Sequence, residues 1–207
     1  LVVAANRDEF FARPTAAAAR WDDAPQVLAG RDLEAGGTWL GVAANGRFAA
    51  VTNVREPGVP PGRLSRGKLT RDFLTGGDSP GTYLASVDPG AYSGFNLLVG
   101  DADQLHYLSN RDGGVRELPA GIYGVSNHLL DTPWPKLAAA KGRFAQALGQ
   151  LPAPDPFFAI LADREIVPDQ ALPRTGVPLE WERLLSAIFV VSPAYGTRAS
   201  TLVMVGR

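Results

Sequence analysis

The chain has 207 residues, 45% of them hydrophobic, with 20 Lys+Arg against 21 Asp+Glu and no cysteine. That length suits one ordinary domain able to bury a core without staples. The near-neutral balance excludes a broad nucleic-acid footprint. The missing cysteine excludes disulfides, a zinc ribbon and a thiol nucleophile within these residues, and no apolar run approaches the roughly 20 residues that span a bilayer.

The only methionine is Met204, and both ends read as strands. The expectation is therefore a single domain over 1–207 that lacks its N-terminal strand and its C-terminal end. Arg far outnumbers Lys in an Ala-rich chain, a compositional bias that makes a bacterial, cytoplasmic protein the default.

In chain order, Leu1–Ala5 reads as a strand running straight into the polar turn Asn6-Arg7-Asp8-Glu9. Residues 15–32 read as irregular or short helical. Thr38–Ala43 and Arg47–Asn53 flank Asn45-Gly46, a hairpin signal because both residues tolerate positive φ. Ser65 is placed to cap a helix over Arg66–Leu74, ended by Gly76-Gly77. Phe95–Gly100 and Leu105–Ser109 read as a second hairpin, Val115–Leu118 as a short strand and Ile122–Ser126 as another. Pro133 and Pro135 suit the first turn of a helix reaching Leu148. Pro156–Glu165 reads as a shorter helix and Val167–Pro178 as loop. Ser186–Ser192 and Ser200–Val205 read as strands around a loop carrying Tyr195-Gly196-Thr197-Arg198. Many short strands with a few grouped helices predict an α+β fold with mostly antiparallel sheet.

The usual chemical motifs are missing. There is no Walker loop or Gly-x-Ser-x-Gly elbow, and neither His106 nor His128 has a ligand-spaced partner. No metal or cofactor is expected. What recurs is a strand ending in asparagine, at Asn6, Asn53, Asn96 and Asn127. Such an Asn forms a turn, or it points a non-titrating carboxamide into a cleft to bind an oxyanion or a substrate amide. Asn6-Arg7-Asp8-Glu9 is either a solvated turn or a site in which Arg7 lowers a nucleophile's pKa and Asp8 orients an amine. Arg198 is either a hairpin tip or an arginine held over a cleft. Arg63, Arg66, Lys68 and Arg71 form a solvated face or an anion patch.

Taken together these residues resemble the NRDE family, also called the transport and Golgi organisation protein 2 family. The similarity runs in order through Asn6-Arg7-Asp8-Glu9-Phe10, Gly36-Gly37-Thr38-Trp39-Leu40-Gly41, Thr52-Asn53, Gly94-Phe95-Asn96-Leu97 and Tyr123-Gly124-Val125-Ser126-Asn127. It continues through Thr132-Pro133-Trp134-Pro135-Lys136 to Tyr195-Gly196-Thr197-Arg198. The resemblance implies an N-terminal nucleophile (Ntn) hydrolase-like αββα sandwich of two antiparallel sheets. It also implies cleavage of a linear amide by an N-terminal Cys upstream of Leu1, whose own α-amine serves as base. On this resemblance Arg7, Asp8, Asn127 and Arg198 are catalytic, and Asn6, Asn53, Asn96 and Trp39 bind substrate. The implied partner is a small-molecule amide. The alternative is a non-catalytic carrier for acyl-CoA, lipid or haem in the same cleft, with Trp39, Phe48, Phe95 and Trp134 lining an apolar pocket.

Overall fold

The computed structural model describes residues 1–206 and is mixed α+β, with two antiparallel sheets and five α-helices among the described residues. The chain divides into two compact units. One comprises Leu1–Arg13, Ile122–Gly124 and the described part of Asp131–Arg207; the other comprises Pro14–Gly121 and Val125–Leu130.

The second unit is built on seven antiparallel strands in sequence order: β2 (Thr15–Trp21), β3 (Ala24–Asp32), β4 (Leu40–Ala43), β5 (Phe48–Asn53), β6 (Phe95–Gly100), β7 (Leu105–Ser109) and β8 (Gly114–Glu117). Period-two alternation puts Val27, Ala29, Ala49, Val51, Leu97 and Val99 on one sheet face. There they bury against Leu69, Phe73 and Leu74 of α1 (Gly67–Thr75) and Leu84 of α2 (Pro80–Ser86). Each fully buried Leu or Phe in that layer contributes about 1.5–3 kcal/mol.

Two glycines of the Gly36–Gly41 run exist for this close approach. A Cβ on Gly37 would stand 2.4 Å from the backbone of Gly67, where α1 begins, and one on Gly41 would stand 2.9 Å from Leu74.

The first unit carries a two-stranded antiparallel ribbon of β1 (Val2–Phe10) and β9 (Tyr195–Met204), with α3 (Pro135–Leu148), α4 (Asp155–Leu161) and α5 (Leu179–Leu184). Val2, Ala4 and Leu202 pack with Ala147 of α3 and with Phe157 and Ile160 of α4. The even-numbered face of β1 is therefore the helix-covered face.

The two hairpins and α3 stand where the sequence predicts them. Several expectations are corrected. Asn6-Arg7-Asp8-Glu9 does not follow the first strand but lies inside it, because β9 pairs with the whole run. Residues 15–32 form β2 and β3, although alanine favours helix; pairing with β4 outweighs that local preference. Tyr195–Arg198 is the start of β9 rather than a loop. Ile122–Ser126 and Ser186–Ser192 are not strands, since their backbone groups are claimed singly, as when Asp131 N donates to Gly124 O and Phe189 N to Asp163 O.

Ser65 does not cap α1 with its side chain; the N-cap is Arg66, and the Ser65 carbonyl accepts from Lys68 N. At Asn45-Gly46 only the glycine takes positive φ (83°), so the turn closes with a bulge and not as a two-residue mirror turn. Helices α2 and α5, of seven and six residues, are too short for an apolar period to announce them.

Candidate functional site

The residues singled out in the sequence fall into two groups. Asn6, Arg7, Asp8 and Arg198 belong to the ribbon unit, and Trp39, Asn53, Asn96 and Asn127 to the seven-stranded unit.

In the ribbon, register decides what each side chain can do. Asn6 pairs with Ser200 and Arg7 with Ala199, but Asp8 pairs with Thr197, so β9 carries a bulge at Arg198. The bulge sets a hydroxyl opposite a carboxylate. Thr197 Oγ1 donates to Asp8 Oδ1 at 2.6 Å and accepts from Val190 N at 2.9 Å. Oδ2 of Asp8 makes no protein hydrogen bond among the described residues. Burial pushes the Asp8 carboxyl above its ordinary pKa, against the Thr197 hydrogen bond and the positive charge of Lys136.

Lys136 is held by the carbonyl oxygens of Leu185 (2.9 Å) and Ala187 (3.4 Å). The Leu185 carbonyl lies at the end of α5, where a cation suits the orphan C=O groups.

Arg7 and Asp8 are neighbours in sequence and point to opposite faces of the ribbon. Arg7, 12% exposed at its side chain, shares its face with Glu9, whose carboxylate stands 3.7 Å from Nη2. Glu9 is also 3.8 Å from Arg13 Nε. Of the two, only Asp8 lies on the even-numbered face of β1 that the helices of the unit cover.

Asn6 is a weld. Its Nδ2 donates to Leu161 O (2.8 Å) and Ile188 O (2.9 Å), and its Oδ1 accepts from Ser200 Oγ at 2.7 Å. Leu161 is the last residue of α4, so the carboxamide satisfies a helix-end carbonyl. Arg198, the bulged residue, donates through Nη1 to the carbonyls of Phe10 and Arg13. It thereby fastens the turn that leaves β1.

In the seven-stranded unit Asn96 is 1% exposed. Its Nδ2 donates to Thr52 Oγ1 (3.1 Å) and His128 O (2.8 Å), while Oδ1 accepts from the Tyr107 hydroxyl at 2.6 Å. Thr52 in turn donates to Ser126 O at 3.0 Å, and Leu130 N donates to the Tyr107 oxygen at 3.2 Å. This buried chain pins residues 126–130 to the sheet.

Asn127 Nδ2 donates to the backbone oxygen of Asn53 at 3.2 Å, and Arg55 N donates to Asn127 O at 2.8 Å. Asn53 is itself exposed and Trp39 half-buried. Phe48, Phe95 and Trp134 are buried, and Phe95 belongs to the main core rather than to a pocket wall.

The supposed anion patch is paired. Arg63 meets Asp88, Lys68 and Arg71 meet Asp72, and Arg66 donates to Gly94 O. No group of three His, Cys, Asp or Glu among the described residues could hold a metal ion. No helix of the described residues is long and apolar enough to cross a membrane.

Sequence reasoning passed over Thr197, Ser200, Lys136 and Tyr107. Two of them sit inside motifs already singled out, Thr197 before Arg198 and Lys136 after Pro135. A hydroxyl opposite a strand carboxylate is invisible until the register is known.

A family model for Transport and Golgi organisation 2 matches residues 1–207. A bovine protein named Transport and Golgi organization protein 2 homolog is 39% identical over 229 residues, covering 99% of this chain and 82% of the relative. The human homolog of the same name is 36% identical over 225 residues, with the same coverage. The fruit-fly Transport and Golgi organization protein 2 is 31% identical over 232 residues, covering 99% of this chain and 81% of its own length. All of these relatives are animal proteins, and the expectation of a bacterial source draws no support from them.

Proposed function

This chain belongs to the Transport and Golgi organisation 2 family, and we propose that it is the scaffold of an Ntn-type hydrolase that cleaves a linear amide. The observation that carries the reading is the Asp8 carboxyl. One oxygen is fixed by Thr197, the other is open, and burial raises its affinity for a proton. A carboxyl so held can take a proton from an amine, or orient an amide N–H and the amine released from it.

In this reading the nucleophile is an N-terminal Cys upstream of Leu1, the 207 residues themselves containing none. Its sulfur attacks the amide carbonyl while its α-amine takes the thiol proton; the C–N bond breaks, the amine leaves with that proton, and water hydrolyses the acyl intermediate to the carboxylic acid and the free thiol. Arg7 supplies positive charge from the opposite face of β1. Asn53 and Asn127, adjacent through the Asn127–Asn53 hydrogen bond, are the carboxamides available to a substrate amide in their own unit. Asn6 and Asn96 are framework groups, because both polar atoms of each carboxamide are committed to the chain, while Arg198 spends Nη1 on the carbonyls of Phe10 and Arg13.

Two antiparallel sheets, each packed with helices of its own unit, support the Ntn hydrolase-like αββα fold class within this proposal. A cytoplasmic location belongs to the same proposal.

The test uses the full-length protein and an electrophilic acyl probe, read by mass spectrometry. A single adduct upstream of Leu1 is expected, and Asp8→Asn reduces its rate of formation at least tenfold with the circular dichroism spectrum unchanged. A folded wild-type protein that never labels sinks the hydrolase reading and leaves a binding protein without turnover.

A further inference from the structure

Beyond Asp8 along the ribbon lies a group of aromatic rings that the hydrolase reading does not use. Phe10 pairs with Tyr195 as Asp8 pairs with Thr197, so all four side chains project from one face. Trp181 of α5 joins them. The ring centroids stand 5.0 Å apart for Phe10–Tyr195, 5.5 Å for Trp181–Tyr195 and 6.5 Å for Phe10–Trp181, all steeply inclined to one another. The cluster is nonetheless open: Phe10 is 51% and Trp181 36% exposed. Exposed rings gathered in one place mark a binding surface far more often than isolated ones do.

The charges beside the rings are of one usable sign. Asp8 has its open Oδ2, and Glu180, exposed, precedes Trp181 in the first turn of α5. The cations are engaged: Lys136 Nζ lies on the carbonyls of Leu185 and Ala187, and Arg183 is held by Asp169 through two hydrogen bonds. Ring faces attract cations, and an open carboxylate oxygen accepts from an ammonium N–H. Residues two apart on a strand are spaced by about 7 Å, which an aromatic ring joined to an amine by a two-carbon chain can bridge.

We propose that Asp8 and the Phe10–Tyr195–Trp181 cluster form a binding site for an organic ammonium ion carrying an aromatic group. The cation donates to Asp8 Oδ2 and its ring packs on Phe10 and Trp181. The site shares Asp8 with the hydrolase reading but needs neither a nucleophile nor turnover. If amide cleavage also holds, this is where the amine side of the substrate sits, and the substrate class is an N-acyl arylalkylamine.

The test is titration calorimetry of the full-length protein with 2-phenylethylammonium, and separately with 3-phenylpropionate, similar in size but of opposite charge. Saturable binding of the ammonium and at least tenfold weaker binding of the carboxylate are expected. Asp8→Asn should weaken the ammonium at least tenfold and Phe10→Leu severalfold, both with unchanged circular dichroism. Equal binding of the two ligands, or no heat from the ammonium at millimolar concentration, overturns the proposal on the wild-type protein alone, whether or not the variants fold. Ammonium binding without acyl-probe labelling would keep this site and remove the hydrolase reading; labelling without binding would do the reverse.

Discussion

Asn96 and Asp8 are strand residues of nearly the same shape in the two units, and the chain treats them oppositely. Asn96 is fully buried, and both polar atoms of its carboxamide are used, by Thr52, His128 and Tyr107. Asp8 keeps one oxygen tied to Thr197 and the other open, in a setting that disfavours its charge. A neutral amide in a dry sheet costs little once every atom is paired. A carboxylate left half-satisfied costs stability that a purely structural residue would avoid. The difference separates a residue that builds the molecule from one that keeps an acceptor unspent.

The largest way to test that contrast is Asn96→Ala. It removes the acceptor of the Tyr107 hydroxyl and the donor to the His128 carbonyl and should destabilise the protein by about 3 kcal/mol in chemical denaturation. Amide exchange should rise over residues 126–130. A loss below about 1 kcal/mol would mean that the carboxamide is not holding that segment. Arg198→Ala comes next. It removes a charged donor from the carbonyls of Phe10 and Arg13 and should cost about 1–2 kcal/mol, with faster exchange confined to residues 10–13. Exchange unchanged there would return Arg198 to the role of an arginine aimed at a ligand.

Much of the seven-stranded unit is legible in the sequence, because local signals and pairing agree. Asn45-Gly46, the apolar β6 and β7, and Gly76 after α1 each say the same thing at both levels. The ribbon is less legible. β1 and β9 are joined by pairing across some 190 residues, and no local pattern announces that Asp8 will meet Thr197. The bulge at Arg198 cannot be read from Tyr-Gly-Thr-Arg, yet it decides which hydroxyl faces the carboxylate. β2 misleads for a related reason: Ala16–Ala19 carries a helical preference that strand pairing overrides. The repeated asparagines and the Asn6–Glu9 run single out the residues of the candidate site, but which of them are committed to the fold depends on strand register and is not written in the local sequence.

Asp8→Asn tests the other half of the contrast, with a sign that depends on pH. Burial raises the folded-state pKa of Asp8, so the folded chain keeps this proton at a pH where the unfolded chain, titrating near about 4, has lost it. The stability linked to that proton is whole below about pH 4 and is lost as pH rises through the folded-state pKa. Asparagine retains the oxygen that accepts from Thr197 and carries no charge. The variant should therefore melt higher than wild type at neutral pH, and its advantage should shrink toward acid. A melting-temperature difference that stays flat across that range would mean that Asp8 is not held in a desolvated state. Thr197→Val should raise the Asp8 pKa further, read by carboxyl carbon NMR, since the hydroxyl hydrogen bond favours the charged form.

Lys68→Ala should do least. Its ammonium lies 2.5 Å from Asp72 at i,i+4 on α1, but both side chains are about a third exposed. Water competes for both charges, and the pair lies within reach of screening salt. Arg71 remains on the same carboxylate after the substitution, so Asp72 is not left unpartnered. The loss should stay below about 0.5 kcal/mol and vanish in high salt. A larger loss that survives salt would show this face to be packed rather than solvated, and would place it with Asn96 among the residues that build the molecule.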